Sequence, residues 1–126
     1  MDLQNLSVLV TGASGYIGQL TMQALAQKSL KLLIGVDIRD CPEVFQNLPI
    51  EYQKLDVRDP ELQDLMVQKK IDVVVHLASI VTPPKNSDRD FEFSVDIMGT
   101  RNVLTACLKA SVGKLIVTSS GAAYGY

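Results

Sequence analysis

The chain has 126 residues, 47% of them hydrophobic and 21% charged, and a net charge of −2, the range of one ordinary globular domain. That balance offers no basic stripe for nucleic acid, and no apolar stretch approaches the ~20 residues that span a bilayer. Cys41 and Cys107 lie far apart with no further metal ligands around them, which excludes a disulfide framework or zinc site; Met1-Asp2-Leu3-Gln4-Asn5 is no secretory signal, so the expected location is the cytoplasm, with both thiols reduced.

In chain order, the first apolar run is Ser7–Thr11. Its nearly continuous Val and Leu content suits a parallel strand covered on both faces. Residues 16–28 follow with a helical period, Ile17, Leu20, Ala24 and Leu25 falling near one face. Leu32–Asp37 is a second strand, and residues 39–49, with Pro42 and Pro49, form an irregular surface loop. Residues 51–56 alternate polar and apolar side chains, the pattern of an edge strand. A helix start follows: Asp59 can cap, Pro60 fits the first turn, and Glu61 suits the positive end of the dipole. A fourth strand is expected over residues 71–77. The longest helical pattern covers residues 88–110, with Phe91, Val95, Met98, Asn102 and Ala106 on one face and a stop at Gly113, and a fifth strand covers residues 115–119. Strands alternating with helices predict an α/β fold, a doubly wound parallel sheet in three layers with at least five strands.

The chemistry is concentrated in Thr11-Gly12-Ala13-Ser14-Gly15-Tyr16-Ile17-Gly18, which follows a strand and opens a helix. Gly12 allows the tight turn, Gly15 bares the backbone to a pyrophosphate, and Gly18 lets the helix pack closely on the sheet. Main-chain N–H groups and the helix dipole then attract the phosphates. Asp37 ends the second strand about 20 residues further on, where a carboxylate accepts hydrogen bonds from the adenosine ribose hydroxyls and repels a 2′-phosphate. NAD is therefore the expected cofactor, with NADP left open by Arg39, which could accommodate that phosphate.

With these residues in place, the chain resembles the extended short-chain dehydrogenases/reductases of the NAD-dependent epimerase/dehydratase kind. The glycine run has their TGxxGxxG spacing. Asp56-Val57 is similar to the pair that contacts adenine in that family. His76-Leu77-Ala78-Ser79 resembles the strand end whose backbone lines the cofactor, though His76 itself reads as a satisfied core histidine. Asp96-Ile97-Met98-Gly99-Thr100-Arg101-Asn102-Val103-Leu104 resembles the family's NVxGTxNLL helix, with Asp96 in place of Asn near the nicotinamide ribose and Gly99 explained by close packing. Thr118-Ser119-Ser120-Gly121-Ala122-Ala123-Tyr124-Gly125 is similar to the SSxxVYG strand end. The resemblance implies cofactor contacts at Gly12, Ser14, Gly15, Tyr16, Ile17, Gly18, Asp37, Arg39, Asp56, Val57, Leu77, Ala78, Ser79, Asp96 and Thr118. It also implies that Ser120 holds the substrate oxygen.

The family's proton-transfer pair, YxxxK, should follow that serine, and the chain ends at Tyr126 before reaching it. Residues 1–126 therefore read as the Rossmann domain of a longer parent enzyme, inactive alone and lacking the substrate domain. The parent is expected to act by hydride transfer on a sugar nucleotide or a related alcohol. A non-catalytic NAD(P)-sensing module is the alternative, and the reading frame beyond Tyr126 separates the two. An unpaired fifth strand also makes a homodimer an expectation.

Overall fold

The computed structural model describes residues 3–78 and 94–118. Five strands form one sheet, β1 Ser7–Thr11, β2 Leu32–Asp37, β3 Glu51–Lys54, β4 Val73–His76 and β5 Lys114–Val117. All pair in parallel in the order β3-β2-β1-β4-β5. The chain leaves β1 to one side through β2 and β3, then returns to the other side for β4. The sheet's direction of winding thus reverses between β1 and β4, and a crevice opens at their C-terminal ends.

Alternation along the central strands feeds two cores. Val8, Val10, Leu33 and Val73 face Met22 of α1, Tyr16–Ala26. Leu9, Ile34, Val36 and Val74 face Leu62, Leu65 and Met66 of α2, Glu61–Gln68, together with Val103, Ala106 and Cys107 of α3, Gly99–Lys109. The expected three-layer doubly wound sheet is the observed one. The alternating third run stands at the sheet edge, as its pattern predicted. Among the described residues β5 is the other edge, and Ile116 and Val117 are exposed.

Two helices match the expected core face only in part. In α1, Ile17, Leu20 and Ala24 point outward, while Leu25 packs against the core beside the buried Gly18 and Met22. The helix is seated at its closest contact: a Cβ on Gly18 would overlap the Gly12 carbonyl oxygen, so Gly18 must face the sheet and the larger apolar side chains rotate away. In α3 the buried stripe is Gly99, Val103, Ala106 and Cys107, whereas Met98 is exposed. A π-helical turn over Ser94–Met98 precedes it, and the wider turn breaks the expected spacing at Met98, while Ala106 is buried as expected.

Helix ends were only partly foreseen. The Asp59 carboxylate accepts from the Glu61 N–H at 2.9 Å, with Pro60 in helical conformation between them, as the capping pattern predicts. The stop of α3 is not Gly113. Ser111 takes φ 55°, with Val112 N–H donating to the Cys107 carbonyl and Ser111 N–H to that of Leu108. Lys70 closes α2 the same way at φ 51°, with Ile71 bonded to Met66 and Lys70 to Val67; both are Schellman closures, made here without glycine. The 39–49 loop is also more than surface chain, since a short 3₁₀ turn at Glu43–Phe45 drives Phe45 into the α1-side core.

Candidate functional site

The glycine run lies between the end of β1 and the start of α1, at the mouth of the crevice. Its three glycines differ in what surrounds them. Gly12 has φ +71°, and a Cβ there would come within 2.7 Å of the Ala78 amide nitrogen, so both its conformation and the approach of the β4 end require glycine. Gly18 is wedged against Gly12. Gly15 is different: a Cβ would meet only the Gly12 carbonyl oxygen at 3.4 Å and an Arg39 guanidinium nitrogen at 3.7 Å, ordinary contacts. The protein's own packing leaves that surface open. Gly15 also occupies the N-cap of α1 and offers no capping side chain, so the first turn of the helix has no side-chain cap and suits an added acceptor. This cradle fits an anionic diphosphate.

Asp37 lies beside it and is almost wholly buried. One carboxylate oxygen accepts from the Ser14 N–H at 3.0 Å; the other accepts from the Arg39 N–H at 3.0 Å and its Nε at 3.3 Å. The carboxylate thus ties the glycine run to the loop after β2, and the oxygen bonded to Ser14 keeps lone-pair capacity for a hydroxyl donor. Tyr52 of β3, which the sequence pattern left as an ordinary strand residue, reaches the same place. Its hydroxyl lies 2.6 Å from Ser14 Oγ and donates to the Arg39 carbonyl oxygen at 2.6 Å. Burial holds the Tyr52 phenol above its usual range, and the bond to Ser14 pulls against that rise.

Across the crevice, His76, Ala78, Asp96, Thr100, Val117 and Thr118 line a cavity of about 220 Å³. His76 is buried as expected and bonded on both ring nitrogens, to Thr11 Oγ1 at 2.7 Å through Nδ1 and to Thr100 Oγ1 at 3.0 Å through Nε2. The hydroxyl of Thr100 donates to the Asp96 carbonyl oxygen at 2.6 Å, so it must accept from Nε2–H. Thr11 already accepts from the Leu77 and Ala78 N–H groups at 3.0 and 3.2 Å and therefore gives its proton to Nδ1. The ring is the neutral Nε2–H tautomer. Burial lowers its pKa, with Asp96 acting in the opposite sense. Thr11 and Thr100 thus turn His76 into a cross-tie between the glycine run and α3.

Asp56 and Val57 are placed less directly. Arg58 clasps the Asp56 carboxylate through its guanidinium and backbone N–H, and the guanidinium contact holds that carboxyl below its usual range. The Val57 side chain is buried beneath Gly99, where a Cβ would lie 2.7 Å from Val57 Cγ2, and the Val57 carbonyl accepts from Asn102 Nδ2 at 2.8 Å. Gly99 is thus explained by packing. Asn102 also donates to the Asp59 carbonyl at 2.9 Å and accepts from Gln63 Nε2 at 2.8 Å, a polar staple where its position in the apolar period suggested plain core. Tyr16 and Ile17 stand exposed at the mouth of the crevice. Ser79 and Ser120 lie outside the described residues.

A parallel sheet with a bare helix N-terminus and an acidic residue at the second strand end defines a dinucleotide-binding architecture. The profile of the NAD dependent epimerase/dehydratase family matches residues 8–126, and the chain belongs to that family. It is 34% identical over 122 residues to sterol-4-alpha-carboxylate 3-dehydrogenase, decarboxylating, of Saccharomyces cerevisiae, with 90% of this chain and 34% of that protein covered. It is 27% identical over 120 residues to a putative UDP-glucose 4-epimerase of Methanocaldococcus jannaschii, with coverages of 94% and 39%. Among solved structures, UDP-glucose-4-epimerase of Stenotrophomonas maltophila, with bound NAD and formylated UDP-arabinopyranose, superposes at a TM-score of 0.81. There the identity is 27% and the coverage 95% of this chain and 38% of that one. The chain therefore spans little more than a third of the length of these relatives.

Proposed function

We propose that the protein binds NAD along the C-terminal margin of the sheet and supplies the dinucleotide-binding part of an enzyme that transfers hydride to and from a secondary alcohol, of the kind carried by sugar nucleotides. The observation that carries this reading is the contrast among the three glycines: two are demanded by the protein's own packing, and the third bares an unoccluded surface over the amides of α1. Those amides would hold the diphosphate. Asp37 would accept from the adenosine ribose, with Asp56 beside the adenine. At the other end Ala78, Asp96 and Thr118 would face the nicotinamide ribose from the 220 Å³ cavity. NAD, when bound, supplies a hydride acceptor and donor at its nicotinamide ring. The neutral His76 holds the walls of the crevice together and is not itself a proton donor, since both its nitrogens are engaged.

The family resemblance assigns the substrate oxygen to Ser120, and proton transfer to a YxxxK pair that residues 1–126 do not contain. Support for an alcohol as substrate comes from the relatives, whose names describe a sterol dehydrogenase and a sugar-nucleotide epimerase. Isothermal titration of the protein with NAD, NADP and ADP-ribose tests the nucleotide part. Binding of NAD and ADP-ribose is expected; a folded sample that gives no heat with any of the three overturns it.

A further inference from the structure

Tyr52 sits on edge strand β3, paired in register with Gly35 of β2, and its ring is anchored against Phe45, with centroids 6.2 Å apart. From there its hydroxyl makes two short contacts at the crevice, to Ser14 Oγ and the Arg39 carbonyl, both at 2.6 Å, and a longer one to the Asp40 carbonyl at 3.4 Å, which Ser14 Oγ also approaches at 3.3 Å. A carbonyl only accepts, so the Tyr52 proton goes to Arg39, and the Ser14 hydroxyl donates to the phenol oxygen. Residue 39 is consequently held from both sides of its backbone: its N–H on Asp37, its C=O on Tyr52. Fixing those two groups fixes the direction in which the side chain leaves the backbone. That direction lays the guanidinium against Asp37, with a terminal nitrogen close to the Gly15 surface.

We propose that Tyr52 is a positioning residue for cofactor choice: through the Arg39 carbonyl it pins the Arg39 guanidinium on Asp37 and so keeps that charge from a 2′-phosphate. The proposal rests on the nucleotide-binding reading above. With Arg39 pinned, a 2′-phosphate arriving beside Asp37 meets a buried carboxylate whose cation is already engaged, whereas a 2′-hydroxyl finds an acceptor. Without the Tyr52 hydroxyl, the chain at residues 38–40 can turn, and Arg39 can swing to the phosphate. A tyrosine phenol is protonated at neutral pH, so the donating proton is in place.

Tyr52→Phe removes the hydroxyl and keeps the ring on Phe45. Affinities for NAD and NADP are measured by titration on wild type, Tyr52→Phe, Arg39→Ala and the double variant, with melting temperatures alongside. Losing one such bond should lower the ratio of the NADP to the NAD dissociation constant about fivefold in Tyr52→Phe. Because Tyr52 acts through Arg39, the same change made in Arg39→Ala should leave the ratio where it was. A merely structural tyrosine would lower the melting temperature or weaken both nucleotides equally, and an unmoved ratio in Tyr52→Phe overturns the proposal. So does an equal shift in the Arg39→Ala background. Ser14→Ala, which unties the phenol at its other bond, should move the ratio the same way by about twofold and carries the test if Tyr52→Phe does not fold; an unmoved ratio there refutes the idea. Wild type binding neither nucleotide overturns the underlying nucleotide site, and this with it, whereas binding with an unchanged ratio removes only the role of Tyr52.

Discussion

Replacing Gly15 with alanine separates the protein's needs from a ligand's. Gly15 has φ −71° and ψ 173°, extended angles that alanine adopts freely. Its new methyl would touch only atoms at 3.4 and 3.7 Å. Nothing in the fold resists it, and the unfolded chain loses conformational freedom, so Gly15→Ala should leave stability unchanged or raise it by about 0.4–1 kcal/mol. On the proposed reading, the same methyl stands where the diphosphate approaches the α1 amides. Displacing one hydrogen bond to a charged oxygen costs about 1.5–3 kcal/mol, so ADP-ribose should bind about ten- to a hundredfold more weakly. Gly18→Ala makes the opposite pattern, since its methyl overlaps the Gly12 carbonyl and the helix must move at a cost of about 1–3 kcal/mol or more. Denaturant unfolding and calorimetric titration of both variants give the answer. Wild-type affinity in Gly15→Ala, or a large loss of its stability, would refute the assignment of that surface to phosphate.

Three further outcomes concern the frame around the site. His76 has a folded pKa below its unfolded value, so the unfolded chain binds more protons as pH falls below about 6.5. This histidine therefore costs no stability above that pH and progressively more below it, by up to about 1.4 kcal/mol per pH unit until the folded pKa is reached. Urea midpoints between pH 7.5 and 5 should fall, and His76→Gln should reduce the fall. Asn102→Ala leaves the Val57 and Asp59 carbonyls without their donor and should cost about 2 kcal/mol in the same urea experiment. Ser111→Gly and Lys70→Gly relieve left-handed backbone at the two Schellman closures and should each stabilise by about 0.5–1 kcal/mol, read as a rise in melting temperature.

What the sequence discloses and what it hides follow from range. Strand positions, the sheet class and the turn at Gly12 rest on local patterns: runs of Val and Leu, the capping triplet at Asp59, glycines at fixed spacing. Hydrophobic periodicity pointed Ile17, Leu20 and Ala24 of α1 inward because it weighs side-chain size, whereas the helix is seated by its smallest residue, Gly18. The same period failed across Ser94–Met98 because a π turn changes the count per turn, and nothing in Ser94-Val95-Asp96-Ile97-Met98 announces one. The bonding roles of Tyr52, Thr11, Thr100 and Asn102 escaped notice for another reason. Each is a polar residue whose partner lies across the fold, as with Tyr52 and Ser14 at a separation of 38 or Thr11 and His76 at 65. Asp37 was placed by spacing, but the three donors that already surround it were visible only in three dimensions.

The narrow fit of Gly12 against the peptide of Leu77 and Ala78 means that the eight-residue stretch Thr11–Gly18 does not by itself possess the shape its sequence advertises. Part of the mould is cast by β4, more than sixty positions downstream. On the proposed reading, a diphosphate seated there would rest on a turn whose shape depends on the central pairing of β1 with β4, so a change that shifts the end of β4 should weaken its grip even with Thr11–Gly18 left intact.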